Sequence, residues 1–309
     1  TTVSFPEGDI PIAIATDKYD SFGCALTISA DVYCWGTNNN GQLGFGLIAP
    51  CPVLCDSQGN PHIPTIPVQF SNNSSPPSSI YTAGITPRAC AVHTDGSASC
   101  WGSNSNGVMG NGYIGQSYHS PQIVYNPTNQ SISQMALTAT FSCALLESGE
   151  VYCWGKNDDG QLGDGSVCGT NSDFSNNCNG YGLKPIMYDP VQLPNGTSAI
   201  SIFDTDNLDG SWNSDDSNVC ALLNNSRLFC WGELYSYAND YPDSSPGVGT
   251  YPILIQGFNV QSGNRDWDSD GVFNYLDNCV DSPNGWTSSA SNDYDSDGCD
   301  DATEDTDDD

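Results

Sequence analysis

CALTISADVYCWGTNNNGQLGFG, residues 24–46, is the stretch that decides the fold. A cysteine is followed by nine residues, then by Cys-Trp-Gly, and then by a string rich in asparagine and glycine. The cysteine pattern returns at residues 90–102, 143–155 and 220–232, and the Gly-rich string returns at 104–112 (NSNGVMGNG) and 157–165 (NDDGQLGDG). Four copies of one motif indicate a repeat architecture in which each copy is a small supersecondary unit.

Each ten-residue cysteine interval predicts a β-hairpin. In the second copy, residues 91–93 can pair antiparallel with residues 97–99 around the loop TDG, and this register places Cys90 opposite Cys100. A three-residue hairpin loop needs a left-handed residue at its end. Glycine supplies it in the second and third copies, and mild strain is predicted in the first and fourth. The four positions are Gly96, Gly149, Ala30 and Ser226.

The 14 cysteines predict a disulfide framework, because they lack the paired CxxC spacing of zinc knuckles and a cytosol would keep them reduced. Five pairs are ten residues apart and two more complete an even set. The five are Cys24 with Cys34, Cys90 with Cys100, Cys143 with Cys153, Cys168 with Cys178, and Cys220 with Cys230, and the other two are Cys51 with Cys55 and Cys279 with Cys299. We therefore expect an extracellular or cell-surface protein.

Composition narrows the possible partners. There are 37 Asp and Glu against 6 Lys and Arg, a net charge of −31, so the surface should repel nucleic acid and attract cations. No apolar stretch approaches the roughly 20 residues of a membrane span, and we expect the numbering to start after a removed signal peptide. Glycosylation candidates that fit a secreted surface are Asn72, Asn73, Asn129, Asn195 and Asn224.

The motif CALxxxGxVYCWGxNxxGQLGxG resembles the RCC1-like (regulator of chromosome condensation) repeat. The resemblance implies an all-β propeller of four-stranded blades, of which the family usually has seven. We place this domain at residues 1–260, with repeats near 11–70, 80–125, 132–193 and 199–257. The second copy departs from the pattern with Val108-Met109 in place of Gln-Leu, and the fourth replaces the Gly-rich string with ELYSYANDY (233–241).

A further strand is expected to flank each hairpin, because a short apolar run recurs as IPVQF (66–70), PQIVY (121–125), PVQL (190–193) and PILI (252–255). TVSF (2–5) looks like a fifth copy. About four blades with five flanking strands form either a small closed propeller or an open arc. An open arc would need a neighbouring subunit to cover its edges, since unpaired edges invite association.

Long loops separate the repeats at residues 46–64, 166–184 and 204–218. Long insertions on a rigid scaffold are often recognition sites. Surface decoration is the equally open alternative.

From residue 266 the sequence becomes acidic and predicts two calcium loops, DWDSDGVFNYLD and DYDSDGCDDATE. Calcium prefers six to eight oxygen ligands, and acidic residues at positions 1, 3, 5 and 12 with a carbonyl at position 7 supply them, while glycine at position 6 makes the turn. The predicted Ca²⁺ ligands are Asp266, Asp268, Asp270, Val272 through its carbonyl, Asn274 and Asp277 in the first loop, and Asp293, Asp295, Asp297, Cys299 through its carbonyl and Glu304 in the second.

No helices of EF-hand length flank these loops. Residues 261–309 instead resemble thrombospondin type 3 repeats, to which Asn274, the DNC tripeptide ending at Cys279, and Cys299 correspond. The resemblance implies calcium bound in irregular loops joined by disulfides. A solvated acidic linker is the plain alternative, and without metal the segment should be disordered by its own repulsion.

Motifs of catalysis are missing from the sequence. The three histidines, His62, His93 and His119, accompany neither a Gly-x-Ser-x-Gly elbow nor a His-Glu-x-x-His helix, and every cysteine has a predicted partner. The tryptophan of each Cys-Trp-Gly is expected to pack between blades rather than to bind sugars. Only glycosidase-like carboxylate pairs stay open, because so many acids offer candidates.

The sequence thus favours an extracellular, non-catalytic structural or adhesive module that assembles with copies of itself or binds proteins or glycans. A secreted propeller that inhibits an enzyme is the alternative. A glycan-active enzyme ranks lower, and the nuclear role of family members is opposed by the disulfides and the acidic surface.

Overall fold

The structure is a computed structural model that describes residues 3, 5–17, 22–46, 66–168, 177–179, 181–205, 217–232 and 251–255. Its regular elements are fifteen strands in four sheets, which we call blades 1 to 4. Blade 1 contains β1 (Pro11–Thr16), β2 (Phe22–Thr27) and β3 (Val32–Gly36). Blade 2 contains β4 (Pro77–Ala83), β5 (Arg88–His93), β6 (Ala98–Gly102) and β7 (Tyr118–Ile123). Blade 3 contains β8 (Ile132–Leu137), β9 (Phe141–Leu146), β10 (Val151–Lys156) and β11 (Leu183–Lys184). Blade 4 contains β12 (Ala199–Asp204), β13 (Asn218–Leu223), β14 (Leu228–Gly232) and β15 (Ile253–Leu254).

Strands follow one another in chain order across each blade, so every blade is a meander. The predicted hairpin is its centre: Cys90 pairs with Cys100 across β5 and β6, and the equivalent cysteines pair in blades 1 and 3. Their Cα atoms lie 4.0 Å apart in blade 2, a separation that leaves the two sulfurs in reach of one another. The all-β repeat fold predicted from the sequence is therefore confirmed.

The hairpin loops have the predicted backbone. Gly96 and Gly149 have φ of +79° and +84°, and Ala30 and Ser226 occupy the same left-handed region at +61° and +63°. A Cβ in this region costs about 1 kcal/mol because it approaches the following carbonyl oxygen. Two of the four hairpins therefore carry the strain that the sequence indicated.

The predicted flanking segment lies at the outer edge of each blade, where one equivalent backbone hydrogen bond holds it. It forms a regular strand only in blades 2 and 4: in blade 1 residues 66–70 are not a strand, and in blade 3 the fourth strand is Leu183–Lys184. The hydrogen bond runs from a backbone N–H of the outer segment to the carbonyl of the residue two positions before the second cysteine of the hairpin. The four bonds are Val68 N to Val32 O (2.8 Å), Val124 N to Ala98 O (2.9 Å), Val191 N to Val151 O (2.8 Å) and Ile255 N to Leu228 O (2.9 Å). Every hairpin thus has an outer segment of its own.

The hydrophobic core lies between successive blades rather than inside any of them. One cluster joins Phe22, Leu26 and Leu43 of blade 1 to Ile80 and Trp101 of blade 2. A second joins blades 2 and 3, where Met109 and Val124 meet Met135 and Trp154. A blade buries its two faces only against neighbours, which is the physical reason for a repeated architecture.

The chain divides into two compact units, residues 1–221 with 230–253, and residues 222–229 with 254–309. Of the second unit, the structure describes only residues 222–229, 254 and 255. In the described part of the chain there is no helix long and apolar enough to cross a membrane.

Candidate interaction surface

Tryptophan makes the joint between blades. The indole N–H of Trp101 donates to the carbonyl of Gln42 in the Gly-rich string of blade 1, and Trp154 donates in the same way to Val108 of blade 2, both at 2.9 Å. Trp231 of blade 4 is equally inaccessible to solvent. These side chains are packing residues, as the sequence indicated, and are closed to sugars.

Each string contains three glycines, and the second of them makes room for the tryptophan of the next blade. The second glycine, which is Gly44, Gly110 or Gly163, has positive φ, and a Cβ there would lie 2.7 to 2.9 Å from the indole of the next blade. That space is needed for the ring, since real Cβ atoms do not come so close. The string therefore forms a socket for the tryptophan of the next blade.

An asparagine side chain organises each socket; it is buried in blades 2 and 3 and partly buried in blade 1. The side-chain oxygens of Asn38, Asn104 and Asn157 accept the backbone N–H five residues ahead, at 3.1, 3.0 and 3.1 Å. This hydrogen bond ties the string to its own first residue and gives a partner to a backbone N–H that would otherwise be unpaired. Sequence reasoning missed the role, although an asparagine two residues after each Trp-Gly was visible in the first three copies.

The strings and the segments after them adjoin from blade to blade. Gly46 N–H donates to the carbonyl of His119 at 2.7 Å, and the equivalent Gly112 donates to Pro185 at 3.3 Å. We call residues 37–46, 103–119, 157–168 and 181–189 the loop rim. It carries two strongly exposed aromatic side chains, Tyr113 (66% exposed) and Tyr181 (80% exposed). Tyrosine combines apolar area with a hydrogen-bonding tip, a property of interface residues.

An ion pair holds the rim in blade 3. Lys184 on β11 is buried and its ammonium lies 2.6 Å from the Asp164 carboxylate, which is buried too, and 3.5 Å from that of the exposed Asp189. Cys168 and Cys178 are joined in the same region. Lys184, one of the 6 basic residues in the sequence, thus fixes the loop through its ion pairs. The exposed Tyr181, three residues before Lys184, therefore lies on a fixed segment.

His93 does not have the surroundings of a general base. The Ser75 carbonyl can only accept, so Nδ1–H donates to it at 2.7 Å, and the Ser99 hydroxyl donates to Nε2 at 2.6 Å. Burial lowers the pKa of His93 below its ordinary value, which keeps the ring neutral. By contrast, hydrogen bonds from Ser97 lower the pKa of the exposed Asp95 carboxyl to about 2.

Five of the seven predicted cysteine pairs are joined by disulfide bonds in the structure. These five are Cys24 with Cys34, Cys90 with Cys100, Cys143 with Cys153, Cys168 with Cys178, and Cys220 with Cys230. The other two predicted pairs, Cys51 with Cys55 and Cys279 with Cys299, lie outside the described residues. The ten-residue spacing was therefore a correct guide to pairing, and the two irregular pairs stay predictions.

The remaining predicted site residues fall into two groups. The five candidate glycosylation asparagines are all exposed: Asn72, Asn73, Asn129, Asn195 and Asn224. All the predicted calcium ligands, residues 266–304, lie outside the described residues, within which no group of three metal-binding side chains occurs.

Comparison with known proteins agrees with this geometry. The family model of the regulator of chromosome condensation (RCC1) repeat matches residues 29–79, 95–145 and 148–202, about half of the chain, and a second model of the repeat matches 14–42 and 132–161. The human E3 ubiquitin-protein ligase HERC2 is 26% identical over 209 residues, 68% of this chain and 4% of that protein. The Arabidopsis thaliana RCC1 domain-containing protein RUG3, mitochondrial, is 29% identical over 234 residues, 75% of this chain and 44% of that protein.

Two solved structures share the fold. Prp20p of Saccharomyces cerevisiae matches with a TM-score of 0.62 at 17% identity, over 84% of this chain and 53% of that one. Human WBSCR16 matches with a TM-score of 0.58 at 18% identity, over 82% of this chain and 56% of that one. The chain spans less than half of the length of the relatives and about half of the solved propellers. On the strength of the repeat match and the blade geometry, the chain belongs to the RCC1 repeat family.

Proposed function

We propose that the chain is an extracellular, non-catalytic binding module in which RCC1-type blades present the loop rim to a protein or glycan partner or to further copies of the chain. The observation that carries the proposal is the set of five disulfides in the described residues. Four close blade hairpins and one closes a rim loop. Disulfides persist outside the cytosol, where no glutathione pool reduces them. The family itself includes a mitochondrial relative, so the compartment rests on the sulfur chemistry.

Binding is supported by the surface. Prp20p is described with binding properties to Gsp1p and histones, so a propeller of this fold can serve as a protein-binding platform. Here both exposed tyrosines stand on fixed backbone, since Asn104 donates to the Tyr113 carbonyl at 2.8 Å and the ion pair of Lys184 holds the loop of Tyr181. Little backbone freedom is therefore lost on binding. A net charge of −31 favours a basic or neutral partner and opposes nucleic acid.

The acidic segment is proposed to bind Ca²⁺ through the two loops beginning at Asp266 and Asp293. Two copies in one register, each with acidic residues at positions 1, 3, 5 and 12 and glycine at 6, support this assignment. Metal would neutralise the self-repulsion of the segment and order it.

Thiol chemistry tests the compartment. Protein secreted by a eukaryotic host is denatured in the presence of an alkylating reagent, with and without prior reduction. Mass spectrometry then measures the mass added at cysteine. We expect alkylation at cysteine only after reduction. Free thiols at the hairpin cysteines of the unreduced secreted protein would overturn the extracellular proposal.

Binding is tested on glycan arrays and on immobilised copies of the chain. The double variant Tyr113→Ser, Tyr181→Ser is compared with Tyr125→Ser, since Tyr125 is also exposed but lies outside the loop rim. Loss of at least tenfold in affinity for the rim variant alone supports the proposal. Equal binding by both variants, or none by the parent, contradicts it for these partners.

Calcium binding is tested with terbium, because Trp267 and Tyr294 occupy position 2 of the two loops and can sensitise its emission. We expect emission that Ca²⁺ displaces and that Asp268→Asn with Asp295→Asn abolishes. The control is Asp95→Asn, which removes one carboxylate from a hairpin loop outside the acidic segment. Emission that survives the double variant would refute the assignment.

A further inference from the structure

The blades have two ends of different construction. One end carries the loop rim, and the other carries the hairpin loops together with the connections from blade to blade. At this second end the Thr94 N–H donates to the carbonyl of Pro76, and the Glu147 N–H to that of Ser131, both at 2.9 Å. We call residues 71–76, 94–97, 126–131, 147–150 and 194–198 the connection end. It is separated from the loop rim by the length of a strand, about 15–20 Å.

The five Asn-x-Ser/Thr sequons of the chain are distributed unevenly between these ends. Four lie in the connection end and the fifth lies in the hairpin loop of blade 4; they begin at Asn72, Asn73, Asn129, Asn195 and Asn224. The loop rim holds seven asparagines, none of which begins a sequon: Asn38, Asn39, Asn40, Asn104, Asn106, Asn111 and Asn157.

An asparagine-rich composition does not account for this distribution. The connection end and the hairpin loop of blade 4 together hold seven asparagines, the same number as the loop rim, and of these only Asn126 and Asn225 do not begin a sequon. Asn126 is followed by proline, which blocks the motif. Both ends thus offer the same number of candidates, and one end alone carries the modification signal.

Backbone turns hold the sequon asparagines at the surface. Three hydrogen bonds close tight turns that place Asn72 with Asn73, Asn195 and Asn224 at middle positions. They are Ser74 N to Ser71 O (2.9 Å), Thr197 N to Pro194 O (3.1 Å) and Ser226 N to Leu223 O (2.9 Å). Asn129 has a left-handed backbone, with φ of +57°, and all five asparagines are exposed. An oligosaccharide attached at these positions extends into solvent without displacing a strand.

We infer that asparagine-linked oligosaccharides cover the connection end and leave the loop rim bare, so that the module meets protein-sized partners through the rim alone. An attached oligosaccharide is bulky and hydrated, and a partner approaching the connection end would have to displace it. The rim, with exposed Tyr113 and Tyr181, keeps its access. This inference deepens the proposed function and rests on its extracellular location, because such oligosaccharides are added in the secretory pathway.

Site occupancy is measured on the full chain secreted by a eukaryotic host. Peptide N-glycosidase in heavy-oxygen water converts each glycosylated asparagine to an isotope-labelled aspartate, which peptide mass spectrometry locates. We expect label at Asn129, Asn195 and Asn224, at one or both of Asn72 and Asn73, and at no asparagine of the loop rim.

The same preparation separates this inference from the proposal on which it rests. A second portion is alkylated without reduction, which shows whether the hairpin cysteines are paired. Paired cysteines without label at Asn129 and Asn195 would overturn the inference and leave the extracellular proposal standing. Free hairpin thiols would overturn the extracellular proposal and the inference with it.

A protein-sized probe tests whether the oligosaccharides close the connection end. Fab fragments are selected against the chain after enzymatic removal of the oligosaccharides, and two variants sort them by epitope. Tyr113→Ser marks the loop rim. Asp95→Asn marks the connection end, because Asp95 precedes Gly96, whose carbonyl accepts the Ile132 N–H at 2.8 Å, close to the sequon of Asn129.

The Fab fragments should fall into two classes. Those weakened by Asp95→Asn should lose at least about tenfold in affinity on the glycosylated chain, whereas those weakened by Tyr113→Ser should bind both forms equally. Equal binding of the Asp95 class to both forms would show that the connection end stays accessible. A loss by the Tyr113 class would show that the rim is not bare, and either result would overturn the inference.

Discussion

The face of blade 1 that carries Ile14 and Trp35 and the equivalent face of blade 2, which carries Ile80 and Trp101, differ in what surrounds them. On blade 2, Ile80 and Trp101 are core and the indole is hydrogen-bonded to Gln42. On blade 1, Ile14 is exposed and Trp35 rests on Gly23. The hairpin beneath is the same in both. The burial of these side chains is therefore decided by the neighbouring blade and not by the repeat that carries them.

The largest expected effect comes from removing the joint. Trp101→Ala should lower the free energy of unfolding by about 3–5 kcal/mol, because it empties a fully buried ring site and leaves the Gln42 carbonyl without its donor. Trp35→Ala should cost less than half as much. Urea denaturation followed by circular dichroism measures both. Equal losses would show that Trp35 is as well packed as Trp101 and would end the comparison.

The socket glycine should have the next largest effect. Gly110→Ala places a Cβ 2.8 Å from the Trp154 ring at φ +71°, whereas Gly115→Ala has similar φ, +81°, and open space around it. We expect about 1 kcal/mol for Gly115→Ala from backbone strain alone. Gly110→Ala should lose about 1–3 kcal/mol more through overpacking. The same denaturation experiment checks the difference, and similar losses would mean that the socket yields without cost.

Smaller effects separate the hairpin loops. Ala30→Gly should raise the free energy of unfolding by up to about 1 kcal/mol, since it relieves a left-handed alanine. Gly96→Ala should lower it by more than that, because a Cβ there meets Ser131 as well. Thermal melts of the two variants against the parent decide the matter. A destabilised Ala30→Gly would show that the gain in unfolded-chain entropy outweighs the strain.

The smallest effect is a pH dependence that belongs to blade 2. Burial lowers the pKa of His93 in the folded chain. Below the ordinary histidine pKa near 6.5, the unfolded chain therefore binds more protons at this residue than the folded chain does. Stability from this group is present above pH 6.5 and is lost as the pH falls from there through the folded pKa. His93→Thr, which copies the equivalent Thr27 of blade 1, should remove that slope in melts between pH 7.5 and 5. An unchanged slope would assign it to other groups.

Sequence reasoning reached the local elements well. The register of Cys90 with Cys100 and the loop backbone at Gly96 and Ala30 follow from short-range rules of hairpin geometry, and the outer segments follow from a recurring apolar run. It did not reach the role of Asn104 in closing a socket or the ion pair of Lys184 with Asp164. Both depend on which atoms the folded loop brings together, and the pair joins residues on opposite sides of a long insertion.

What the sequence determined by itself is the repeating unit, because a hairpin, its disulfide and its loop residues are set by contacts within about ten positions of the chain. Only the tertiary structure decided which faces of those units are core. The sequence of a single repeat does not show that Ile80 is buried and Ile14 exposed, because a sheet buries its apolar side chains only against another sheet. The adjacent blade supplies the other half of each core, and only the packing of the blades in the structure shows where such a neighbour is present.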